Sequence, residues 1–162
     1  MDKGAQLDTL WESHNFYLKQ IDTLEDEFSF LSERAKLFFY QPLIEAMRQM
    51  KSDAHFKESL PPDVVADVES VIEDYNEEVP VEKKPLLSQI KNTSKDLEAL
   101  YRKHLHTLRD IKAFYKNYPY DIPPQHELSS TSLLDNINDS TKELLKAHCK
   151  VARTLYKQVK NY

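Results

Sequence analysis

Between Leu7 and Phe38 the chain places Leu7, Leu10, His14, Tyr17, Ile21, Leu24, Phe28, Leu31, Ala35 and Phe38 at unbroken steps of three and four residues. Such spacing puts all ten on one side of an α-helix, whereas the two-residue period of a strand would scatter them over both faces. The 162-residue sequence holds a single glycine, Gly4. These features define the fold class as all-α. A helical seam describes packing and contains no catalytic chemistry, so function has to be sought in what the seam leaves over.

The breaks in the pattern set the topology. The first helix starts near Asp2 or Ala5, and Leu43, Ile44, Met47 and Met50 continue its stripe beyond Pro42, which is read as a kink in a helix running to about Lys57. Pro61 and Pro62 end that helix and open a second, with Val64, Val65, Val68, Val71, Ile72 and Tyr75 as its apolar stripe to about Glu78. A third long helix begins at Pro85 and closes before Pro119. Residues 119–131 form a loop, and Ser130 or Thr131 caps the last helix, with Ser132 and Asp135 in a capping-box-like arrangement.

At 1.5 Å per residue the first helix is roughly 75 Å long, and the second and third helices together match it. The expected architecture is therefore one elongated up-down helical bundle over 1–162, with three long helices, the first of them kinked, and a shorter helical hairpin. Its trunk comprises 5–41 and 85–162, and a hairpin of 43–78 projects from it. The competing arrangement folds the hairpin back at Pro42 into a compact four-helix bundle.

The formal charge of −5 hides an asymmetry: residues 1–82 carry 19 acids and 7 bases (−12), and residues 83–162 carry 8 acids and 15 bases (+7). Either the two halves pack on each other or each offers a charged surface to a partner. A composition of 40% hydrophobic and 30% charged residues suits a folded chain rather than a disordered one. Cys149 is the only cysteine, which excludes an internal disulfide and any multi-cysteine zinc site. With no secretory-signal layout in Met1 to Leu10 and no apolar run near the roughly 20 residues of a membrane span, the expectation is a cytoplasmic, intracellular protein.

The search for chemistry returns little. His14, His104 and His148 all occupy seam positions. Counting turns places His104 and His148 near one level and His14 about two turns away, which disfavours a three-histidine metal site and points to hydrogen-bonded core histidines. No Glu-x-x-His or His-Glu-x-x-His motif occurs, and one glycine cannot build a phosphate-binding loop. His148 and Cys149 are sequence neighbours about 100° apart on a helix, so they do not form a base and nucleophile pair. No catalytic residue, cofactor or metal is assigned, and the chain is expected not to be an enzyme.

Three surfaces remain. Phe38, Phe39, Leu43, Ile44, Met47 and Met50 spread apolar surface over more than half a helix circumference, too broadly for one neighbour. Glu73, Glu77 and Glu78 belong to an acidic run from Asp63 to Glu82 that contains no base. Together these suggest a protein-protein adaptor or scaffold subunit, whose partner is another protein or a second copy in a homodimer. Lys142, Lys146, Lys150, Arg153, Lys157 and Lys160 form one basic face of the last helix. That face is either a solvated bundle surface or the site of an alternative function, peripheral binding of anionic membrane or nucleic acid.

Overall fold

A computed structural model describes the backbone of residues 2–76 and 81–162, and the side chains of these residues except 54, 56, 57, 68 and 71–76. The protein is an all-α helical bundle, and the described residues contain no strand. Helix α1 spans Lys3–Ser52, α2 Ala54–Ser59, α3 Pro62–Asn76, α4 Lys83–Asn117 and α5 Ser132–Asn161, with a 3-10 turn at Pro124–His126 before α5. Asp2 starts α1 by accepting a hydrogen bond from the Ala5 amide (2.7 Å), which satisfies one of the donors that a helix N-terminus leaves without a partner.

Pro42 lies inside α1, and the helix continues for ten residues beyond it. A proline there removes the bond to the Phe38 carbonyl and crowds the preceding turn. Neighbouring contacts hold the segment from the side. With its amide turned to satisfy both partners, Gln41 donates to the Val81 carbonyl (3.2 Å) and accepts from the Val81 amide (2.5 Å). The Tyr162 hydroxyl donates to the Phe39 carbonyl (3.0 Å). The first helix ends five residues before the expected Lys57, because Asp53 adopts extended backbone and caps α2 by accepting from the His55 amide (2.9 Å). The prolines act as expected at the next break: α2 ends at Ser59 and α3 begins on Pro62. The expected end of α3 at Glu78 lies outside the described residues.

Helix α4 is central. It packs against α1 on one side and α5 on the other, while α1 and α5 touch little; α3 packs on α1. At one end Leu7, Ile111, Phe114, Tyr115 and Leu134 form the core; Ile21, Leu97 and Tyr101 continue it; and Phe28, Leu31, Ala35, Val81, Leu86, Ile90, Ala152 and Val159 close the other end. Each fully buried leucine or isoleucine here contributes about 1.5–3 kcal/mol relative to exposure, which outweighs the indifferent propensities of the β-branched positions.

At the start of α5, Ser130, one of the two expected caps, is engaged, and the expected capping box is not formed. Thr131 precedes the helix but its side chain caps nothing. The Ser132 amide instead donates to Ser130 Oγ (3.2 Å), and Asp135, expected in the capping box, accepts from Lys112 Nζ of α4 (2.5 Å). A tertiary charged contact thus replaces the local one.

Candidate functional site

The seam histidines are brought together in a different pairing from the one counted along the sequence. His104 Nε2 of α4 lies 2.8 Å from Nδ1 of His14 on α1. His148 of α5 sits instead against the rings of Phe28 and Tyr101, with Nε2 3.1 Å from Ser94 Oγ. Turn counting erred because the level of one helix against the next depends on how far the non-helical connections, such as residues 118–131 between α4 and α5, carry the chain, which the helical rise does not give. Burial holds His14 and His148 below the ordinary imidazole range; His104, buried and facing His14, is lowered to about 4. Both members of the pair are therefore neutral near pH 7. His104 Nδ1 has no hydrogen-bond partner. A proton on Nε2, donated to His14, leaves Nδ1 as a bare acceptor, which costs less to bury than an orphaned N–H.

Beside this pair, a polar chain ties the connection between α4 and α5 to α1. Trp11 donates from Nε1 to the Tyr115 hydroxyl (3.3 Å), the Tyr115 hydroxyl donates to the His126 carbonyl, and His126 Nε2 meets Asp8 Oδ1 at 2.5 Å. The Trp11 ring stacks on His126, centroids 6.2 Å apart, and meets His14 edge-on at 5.3 Å. Trp11 and His126 escaped sequence reasoning because neither lies on a periodic seam and the loop carries no spacing signal. The arrangement has the chemistry of a structural clamp. Among the described residues, no group of three histidine, cysteine or carboxylate side chains could hold a metal ion.

The apolar surface candidates separate into two sets. Phe38 and Phe39 are half-buried, packed on the trunk core and roofed by Tyr162, whose ring centroid is 5.2 Å from each. Ile44 is turned inwards with 6% of its surface exposed. Leu43 and Met50, in contrast, are 56% and 49% exposed, Met47 is half-buried, and Tyr40, one turn before Leu43, is 50% exposed. Tyr40, Leu43, Met47 and Met50 thus form an open stripe at steps of three, four and three. Of the acidic candidates, Glu73 lies on α3 without a described side chain, and Glu77 and Glu78 lie outside the described residues; Asp63 and Asp67 of the same run are exposed.

The six α5 cations, Lys142, Lys146, Lys150, Arg153, Lys157 and Lys160, are all exposed. None has a carboxylate within ion-pair distance among the described residues. Among the described residues, the charge asymmetry of the chain is consequently not consumed by lysine or arginine pairs between its two halves; the contact of a carboxylate with a basic side chain across them is Asp8 with His126. No helix among the described residues is long and apolar enough to cross a membrane. No protein family, curated protein or solved structure matches the chain.

Proposed function

We propose that this is a non-catalytic interaction protein, an adaptor or scaffold subunit, that receives a helix of another protein on the α1 stripe of Tyr40, Leu43, Met47 and Met50. One observation carries the reading: an apolar seam with the step pattern of a two-helix contact stays open on α1, flanked by the buried Ile44, on the helix against which α3 packs. Exposed apolar residues are ordinary when scattered, but four in register over three turns form a contiguous strip. The acidic residues of neighbouring α3, Asp63 and Asp67, favour a partner helix with basic flanks.

The test is affinity capture of partners from native cells with the unaltered protein and with Leu43→Asp and Met50→Asp, each first confirmed to be folded. Loss of the captured set in both variants is expected; an unchanged set overturns the reading.

A further inference from the structure

Helices α4 and α5 diverge enough to leave a cleft of about 440 Å³ between them. Its floor is Ile90 and Ala152, and the small side chains of Ser94, Cys149 and Ala152 leave the space open. Four cations line it, Lys91 and Lys95 from α4 and Arg153 and Lys157 from α5. Its single carboxylate, Glu98, is paired with Arg102 at 2.8 Å. The concentration of positive charge extends to both sides, with Lys83 and Lys84 beside Lys91 and Tyr156, and with Lys146 and Lys150, accompanied by Glu143, beside Arg153 and Lys157.

We propose that this cleft binds a compact anion bearing two or more phosphates, as a soluble polyphosphate or as a phosphorylated lipid headgroup. Lys91 with Lys95, and Arg153 with Lys157, are like-charged pairs at i,i+4, an arrangement that destabilises each helix. The two pairs also face each other across one cleft, so repulsion is concentrated where an anion would relieve it. The planar guanidinium of Arg153 matches two phosphate oxygens at once, and the lysines supply mobile point charges. Ser94 Oγ, held at 3.1 Å by His148 Nε2, places a hydroxyl in the lining. The volume suits a small polyanion and is too small for a helix or a duplex, which separates this site from the α1 stripe and from a linear track along the Lys142 to Lys160 face.

The experiment is calorimetric titration of the full chain with inositol 1,4,5-trisphosphate near 0.1 M salt. Sedimentation with phosphatidylcholine vesicles containing phosphatidylinositol 4,5-bisphosphate, or phosphatidylserine at matched charge, runs in parallel. Saturable one-to-one binding is expected, weakened at least about tenfold in Lys91→Gln/Arg153→Gln and less than about threefold in Lys142→Gln/Lys160→Gln, which removes equal charge outside the cleft. Melting temperatures of both variants confirm that the fold is intact. Retention on the bisphosphate vesicles but not on the phosphatidylserine vesicles assigns the ligand to a lipid headgroup; trisphosphate binding without vesicle retention assigns it to a soluble anion. Equal weakening in the two variants, tighter binding of a short DNA duplex than of the trisphosphate, or no saturable binding to either probe overturns the proposal.

Discussion

His104 Nε2 and His14 Nδ1 share one proton across 2.8 Å in the interface that carries most of the packing between α1 and α4. Both groups have lower pKa values in the folded protein than in the unfolded chain, and His104 falls to about 4 from 6.5. The unfolded state therefore binds more protons between those values, so stability is complete near neutral pH and is lost as pH falls from 6.5 towards 4. For His104 the loss at pH 5 is on the order of 2 kcal/mol. Urea unfolding at pH 7 and pH 5 measures it, and His104→Gln is expected to flatten the difference. Equal pH dependence in the variant would assign the effect to other groups.

Trp11 is the only tryptophan, so its emission reports the clamp directly. His126→Ala removes the ring stacked on the indole and the contact to Asp8. A red-shifted emission maximum is expected, with a stability loss of about 1–2 kcal/mol from the broken polar contact. An emission maximum identical to that of the unaltered protein would mean that solvent does not reach Trp11 when the clamp is removed.

Pro42 withholds an amide from the Phe38 carbonyl inside α1. Pro42→Ala restores that donor and a favourable propensity, and the surrounding contacts, Gln41 with Val81 and Tyr162 with Phe39, use neither the ring nor its missing N–H. The substitution is expected to raise stability by about 1–3 kcal/mol. A lower melting temperature would show instead that the ring itself shapes the helix to seat Val81.

The fold was legible because the pattern that defines it is long and local: the seam from Leu7 to Phe38 and the proline breaks at Pro61 and Pro62 each depend on a few neighbouring residues. Pairing across helices was less legible. His104 meets His14 rather than sharing a level with His148, since the register depends on how far each connection carries the chain, and the loop between α4 and α5 has no periodicity from which that could be counted. The same holds for surfaces. Leu43 and Ile44 are adjacent apolar residues that periodicity alone treats alike, and only the position of the packed neighbours turns one outwards and the other inwards. The cationic cleft lay further out of reach, because half of its cations, Lys91 and Lys95, sit on a different helix from the basic stripe.

That distinction between Leu43 and Ile44 yields the sharpest contrast available. Leu43→Asp alters a side chain 56% exposed and is expected to shift stability by no more than about 0.5 kcal/mol. Ile44→Asp forces a carboxylate into a site only 6% exposed, losing apolar burial and desolvating a charge that Arg48, one turn later, offsets only in part, for a cost of at least about 2 kcal/mol. Equilibrium denaturation of the two variants under identical conditions tests this. If both lose stability alike, the Leu43 side is covered in solution, either by the chain itself or by a second copy. Sedimentation velocity separates those cases, since a second copy gives a dimer that Leu43→Asp dissociates.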